Sequence, residues 1–329
     1  MTQILRRAAH ETVNRYLREF PVVALIGPRQ VGKSTLAMQV LARRGDSLRL
    51  DLELPSDENK LRDPESFLRA NRGRLVCLDE IQRVPDLFPI IRALVDEVRT
   101  PGRFLILGSA SPELLRQSTE SLAGRIAYVH LTPFRIDEVG ADSLHRHWIR
   151  GGFPLSFLAD DDQTSFDWRQ QFIRTFLESD LAGLGIDLTT SAVQRLWQML
   201  ASASGTILNR AKLSEPVGMS PQTISRYLDI LESTFMVRVL RPLLPNTRKR
   251  LVKSPKVYIR DSGLLHALRD VRTQSDILGH IEVGASWESY AVEQVCSALN
   301  DWRPSFYRTS AGPENDLVLE RDRRRITIQ

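Results

Sequence analysis

Apolar residues gather in short runs spaced along the first 140 residues. PVVALIG (21–27), SLRLDL (47–52), RLVCLDE (74–80), RFLILGS (103–109) and IAYVHL (126–131) all have strand length. Between them, stretches such as KSTLAMQVLARR and LFPIIRALVDEV repeat their apolar residues at helical spacing. Apolar strands alternating with helices predict a parallel sheet covered on both faces. Residues 1–140 are therefore expected to form one α/β domain. It opens with an amphipathic helix, because MTQILRRAAHETVNRYL mixes charges and apolar residues and lacks the unbroken apolar core of a signal peptide.

The pattern changes after residue 140. GGFPL (151–155) reads as a turn, and DWRQQFIRTFLESDL and SAVQRLWQMLASAS follow helical periodicity, so 141–205 reads as a small helical lid. Within 206–260, ILNRAKLSEPVGMS predicts a short helix and a turn. PQTISRYLDILEST predicts a second helix with Ser220 as N-cap and Pro221 at its first position. FMVRVLRPL and SPKVYIR then read as two strands joined by the basic segment NTRKRLVK, and the whole suggests a winged helix. Residues 261–329 begin with the capped helix DSGLLHAL, continue with the helix SWESYAVEQVCSALN, and end in the strand-like SFYRT, NDLVLE and RITIQ.

Composition narrows the class. The 329 residues are 42% hydrophobic and 26% charged, as in ordinary globular protein, and exceed one ordinary core. No apolar run is long enough to span a bilayer, so no membrane partner is expected. Cys77 and Cys296, the two cysteines, make neither a zinc site nor a disulfide framework, and a reducing cytoplasm is the expected setting. A net charge of +5 is compatible with a nucleic-acid partner without requiring one.

The chemistry concentrates at GPRQVGKST (27–35). Gly27, Pro28, Arg29, Gln30, Val31, Gly32, Lys33, Ser34 and Thr35 fit G-x-x-x-x-G-K-[ST], placed between a strand and a helix as a phosphate-binding loop must be. The glycines allow backbone N–H groups to converge on phosphates, and the helix N-terminus adds positive potential. Lys33 can reach the β- and γ-phosphates of ATP, and the Ser34 hydroxyl suits Mg²⁺. LVCLDE delivers Asp79 to a strand end, where it would hold Mg²⁺ mostly through water. Glu80 would then orient and deprotonate the attacking water. Ser109 ends the fourth strand. It fits a residue that positions the water or senses the γ-phosphate, and it fits a helix N-cap equally. Arg125, at the end of SLAGR, fits a residue that reaches a neighbouring subunit's γ-phosphate, and it also fits a surface ion pair.

Together these residues resemble the prokaryotic AAA+-class P-loop ATPases related to the archaeal-ATPase and STAND groups, whose C-terminal half is a domain of unknown function. GPRQVGKST, LDEIQRVPDLF, LGSASPELL, SLAGR, LTPFRIDEV, GGFP, SRYLDILEST, KSPKVYIRDSGLL and the G-P-E-N-D of 312–316 occur in the family's order and span essentially the whole chain. The resemblance implies an AAA+-type parallel sheet with the catalytic strand between the P-loop strand and its neighbours. A winged helix, which many relatives contain, fits 206–260, between the helical lid and a partial α/β C-terminal domain. The resemblance also implies a sensor role for Ser109 and an arginine-finger role for Arg125, acting in trans within a homo-oligomer. The family's C-terminal region further resembles a restriction-endonuclease-like fold, with Glu288 and Asp316 at two metal-binding positions. RITIQ falls where an E-x-K strand belongs, and Gln329 is reached without that lysine, so the region is expected to be incomplete or without nuclease chemistry.

Gln222, Thr223, Ser225, Arg226 and Tyr227, near the start of the second winged-helix helix, are residue types that contact a major groove. Arg248, Lys249, Arg250, Lys253 and Lys256 suit phosphates. A protein-interaction role for the same elements is equally compatible. Trp148, Trp168, Trp197, Trp287 and Trp302 are widely spaced and read as core or interface. The leading expectation is an ATP-hydrolysing oligomer working on or near DNA. The alternative is a nucleotide-controlled switch whose winged helix and C-terminal region bind a protein partner.

Overall fold

The computed structural model describes residues 5–109, 118, 120–181, 190–243, 254–309 and 314–329. Contacts divide the chain into two compact units, Met1–Thr132 and Pro133–Gln329.

The first unit is built on five parallel strands, β1 (Val22–Gly27), β2 (Ser47–Asp51), β3 (Leu75–Asp79), β4 (Phe104–Ser109) and β5 (Ile126–His130), in the order β2-β3-β4-β1-β5. Each coincides with one of the five apolar runs. The central strands β1 and β3 are buried at every position, while the edge strands β2 and β5 are only partly buried. A strand with helices on both faces has no solvent side, which explains why the central runs show no alternation.

One face of the sheet is covered by α1 (Ala9–Glu19) and α2 (Lys33–Ala42). Val13 and Leu17 of α1 and Leu36, Ala37, Val40 and Leu41 of α2 pack there with Val23, Leu25, Cys77, Leu105 and Leu107. The opposite parity, Ala24, Ile26, Val76, Leu78 and Ile106, is buried too. Helices α3 (Pro55–Glu58), α4 (Pro64–Ala70) and α5 (Leu87–Glu97) complete the unit. The strand order corrects one expectation: the Asp79 strand does not adjoin the P-loop strand. β4 lies between them, pairing with β1 from Val22↔Phe104 to Gly27↔Ser109 and with β3 from Val76↔Phe104 to Leu78↔Ile106.

In the second unit, one hydrophobic core takes side chains from Phe153 to Leu268, including the fully buried Trp197. The helices Arg210–Val217 and Pro221–Ser233 are followed by the antiparallel pair β6 (Val237–Leu240) and β7 (Lys256–Ile259). Ser220 Oγ accepts from the Thr223 N–H at 3.1 Å, with Pro221 opening the helix, as the sequence pattern requires. The helix Val283–Ala298 packs Val292 and Cys296 against Phe306, Leu317 and Leu319 of β8 (Arg303–Arg308) and β9 (Glu314–Arg321). With β10 (Arg324–Ile328) these form an antiparallel sheet ordered β10-β9-β8. Buried Glu293 ties the pieces together, accepting from Arg238 on β6 at 2.7 and 3.0 Å and from Arg260, just after β7, at 2.9 Å.

Candidate phosphate-binding site

The loop after β1 is held by its backbone and by one apolar anchor. A Cβ on Gly27 would lie 2.2 Å from the Leu131 carbonyl oxygen, so the chain after β5 closes against β1 only at a glycine. Gly32 has φ 94° and Gln30 φ 60°, left-handed angles that turn the loop into α2. Val31 is fully buried among the α1–α2 side chains and fixes the loop from below. Pro28 is buried, whereas Arg29, Gln30 and Thr35 are exposed and Ser34 is half-buried. Helix α2 has no side-chain cap at Gly32, so its positive end faces the loop without an internal anion. Lys33 is 5% exposed, and its Nζ donates to the Gly27 and Pro28 carbonyls at 3.2 and 2.9 Å.

Parallel strands end at one edge of a sheet. The topology therefore brings Gly27 of β1, Asp79 and Glu80 at the end of β3, and Ser109 of β4 to the same edge as the P-loop. Asp79 is 2% exposed, and its Oδ2 accepts from Arg49 of β2 at 2.7 Å. Its Oδ1 is buried without a hydrogen-bond partner among the described residues, as is Ser109 Oγ. Glu80 sits at φ 56° and ψ 47°, an uncommon conformation for a residue with a Cβ, and its carboxylate accepts from the Gln82 side chain. Residues 110–117 lie outside the described residues, and with them the helix that Ser109 would cap.

Arg125 is at the other edge. Its carbonyl accepts from the Val22 N–H, at the start of β1, and its guanidinium forms a two-point pair with Asp96 at 2.5 and 2.9 Å. That bond raises the Arg125 pKa and lowers that of Asp96. The surface ion pair weighed for Arg125 is thus present.

Two arginines were not singled out from the sequence. Arg7 is buried, and it donates to the Val31 carbonyl at 3.0 Å and to the Thr132 carbonyl at 2.5 Å, bracing the P-loop from the segment before α1. Arg49 pairs with both Asp79 and Asp51, the latter at 3.2 Å. The bond to Asp79 raises the Arg49 pKa, against the opposing effect of burial. A signal for Arg49 was legible: in SLRLDL, Arg49 and Asp51 alternate with leucines. In register they lie beside Cys77 and Asp79, on the sheet face that α2 covers.

The second unit changes several residue readings. Tyr227 is 2% exposed and belongs to the core, so it cannot contact a nucleic-acid groove, whereas Gln222 and Arg226 on the same helix are exposed. Lys256 is withdrawn from the phosphate set. It is 3% exposed, and its Nζ lies 2.9 Å from Asp316, 2.8 Å from Glu314 and 3.5 Å from Glu288. Burial alone would lower its pKa, but the three carboxylates outweigh it and raise it. Glu288 and Asp316 do come together, around an ammonium. Among the described residues, no three His, Cys, Asp or Glu side chains are grouped to hold a metal ion. Arg248, Lys249, Arg250 and Lys253 lie outside the described residues. Trp148 and Trp197 are core residues, while Trp287 is 42% exposed and packs edge-on to Trp148. No described helix is long and apolar enough to cross a membrane.

A family described as an AAA domain matches residues 19–140, and a domain of unknown function (DUF8612) matches residues 141–275. The uncharacterized proteins Rv2008c of Mycobacterium tuberculosis and Mb2031c of Mycobacterium bovis are each 42% identical over 317 residues, covering 96% of this chain and 71% of theirs. The solved structure of a Walker-type ATPase of Pyrococcus abyssi, PABY2304, aligns over 81% of this chain and 96% of its own, with a TM-score of 0.55. At 15% identity, that likeness bears on the fold alone.

Proposed function

The chain belongs to one family with these mycobacterial proteins and is itself a P-loop ATPase of the AAA+ class followed by a domain of unknown function, and from that premise we propose that it binds ATP with Mg²⁺ and hydrolyses it to ADP and phosphate. One observation carries the reading. Asp79 Oδ1 and Ser109 Oγ are buried and, among the described residues, unpartnered at the sheet edge that also holds the uncapped start of α2. An unpaired buried polar atom costs about 1–3 kcal/mol, and such atoms cluster where a ligand or reacting group completes them.

In this reading the P-loop amides and Lys33 hold the phosphates, and Ser34 and Asp79 hold the metal ion. Bound Mg²⁺ neutralises charge on the phosphate oxygens. Glu80 accepts the proton of the attacking water, oriented by Gln82, and Ser109 positions that water. Arg125 lies a full strand away from its own P-loop, on the order of 16 Å, so it serves a neighbouring subunit in a homo-oligomer. Within the second unit, residues 141–205 act as a lid and 206–260 as a winged helix that meets duplex DNA through Gln222 and Arg226. Residues 261–329 are a C-terminal domain whose Glu288 and Asp316 are paired with Lys256.

A switch is the second reading. The contacts of Asp79 with Arg49 and of Glu80 with Gln82 favour slow turnover, in which the nucleotide state controls a protein partner. ATPase rate measured against protein concentration, with and without duplex DNA, separates the two. A rate that rises with concentration and with DNA supports the oligomeric ATPase, and a slow rate indifferent to both supports the switch. Lys33→Ala is expected to abolish ATP binding in either case. Unchanged affinity would remove the P-loop from the mechanism.

A further inference from the structure

Asp79 is almost wholly buried, and a carboxylate in that position is stable only if paired. Its partner is the Arg49 guanidinium, which leaves one oxygen, Oδ1, unengaged among the described residues. The same guanidinium lies 3.2 Å from Asp51 Oδ2. Asp51 is a fixed receiver: its Oδ1 accepts from the Glu53 N–H at 3.1 Å, and its own N–H donates to Asp57 Oδ2 at 2.9 Å. Arg49 therefore stands between two carboxylates, one at the candidate metal position and one on the turn after β2.

We infer that Arg49 is a positioning residue, the internal counter-ion of Asp79, and that it passes to Asp51 when a divalent cation takes Asp79. This rests on the ATPase reading above. Before the cation arrives, Arg49 keeps Asp79 aimed and paired. A divalent ion beside Asp79 repels the guanidinium, and Asp51 receives it without exposing a buried charge. Occupancy of the metal position is thereby reported to the 51–60 segment, where Asp57 also pairs with Lys60 at 2.7 Å.

The test is the Mg²⁺ concentration for half-maximal binding of a fluorescent, non-hydrolysable ATP analogue by the full chain. Removing a unit charge next to the ion, in Arg49→Gln, lowers that concentration on the order of tenfold. Asp51→Asn, at a partly exposed side chain, removes the alternative acceptor, holds Arg49 on Asp79, and raises it roughly threefold. Arg49→Lys keeps the charge and stays within about twofold of the parent. Structural damage would move the first two variants the same way, and a plain Coulomb effect of Asp51 would persist without Arg49, so opposite shifts, with Asp51→Asn adding nothing in the Arg49→Gln background, support the exchange. Shifts of equal sign, or none, overturn it. If Arg49→Gln does not fold, Asp51→Asn is read beside Asp51→Glu, which keeps the acceptor's charge: a rise in Asp51→Asn alone supports the exchange, and an equal rise in both overturns it. Absence of Mg²⁺-dependent binding in the parent protein overturns the ATPase reading itself, whereas Mg²⁺-dependent binding with unmoved variants overturns only the role of Arg49.

Discussion

Glu80 joins a proposed chemical role to a backbone cost, and the two can be separated by a pair of substitutions. Its φ of 56° and ψ of 47° place a residue with a Cβ in the left-handed region, at a cost of about 1–2 kcal/mol. Glu80→Gln keeps that cost and the side-chain length but removes the proton acceptor. Glu80→Gly removes both the acceptor and the strain, while the freer unfolded chain takes back about 0.4–1 kcal/mol. Glu80→Gly is therefore expected to be more stable than Glu80→Gln by about 0.5–1 kcal/mol. Both should bind ATP and lose turnover by roughly 10²–10⁴-fold, the scale of a general base. Urea unfolding followed by circular dichroism measures the first quantity. Tryptophan fluorescence would not serve, because all five tryptophans lie beyond residue 132. Single-turnover hydrolysis measures the second. A glycine variant less stable than the glutamine variant would refute the strain argument, and parental turnover in either would remove Glu80 from the chemistry.

Three other outcomes are expected. Arg125→Ala should lower activity only under conditions where the parent protein assembles, read as ATPase rate against concentration; a fully active mutant oligomer would rule out a role in trans. Glu293→Gln should cost about 3–5 kcal/mol in urea unfolding, because Arg238 and Arg260 lose the carboxylate they share in the interior; a loss below about 1 kcal/mol would show that solvent replaces it. Wholly buried His266, hydrogen-bonded to the Ile149 carbonyl and Ser286 Oγ, has its pKa pushed down to about 3 by desolvation. The unfolded chain takes up that proton below about pH 6.5 and the folded one does not until far lower, so stability falls as pH drops from about 6.5 towards 3. The slope approaches about 1.4 kcal/mol per pH unit, and His266→Gln should flatten it; an unchanged slope would assign the pH dependence elsewhere.

By itself, the sequence determined the elements and the place of the P-loop pattern between β1 and α2. Five apolar runs became five strands, Ser220 and Pro221 opened their helix, and GPRQVGKST followed β1 directly into α2. These features are local: periodicity, capping and turn geometry are written within about ten residues and survive any arrangement of the rest. Partners across the fold were decided only by tertiary structure. β4 between β1 and β3, Arg49 on Asp79, Arg7 under the P-loop, Tyr227 in the core and Lys256 among three carboxylates all depend on strand order and register. A charged residue in a strand looks the same in sequence whether it faces water or a carboxylate thirty residues away. Only the register, which sets Asp51 beside Asp79 and Arg49 beside Cys77, distinguishes them.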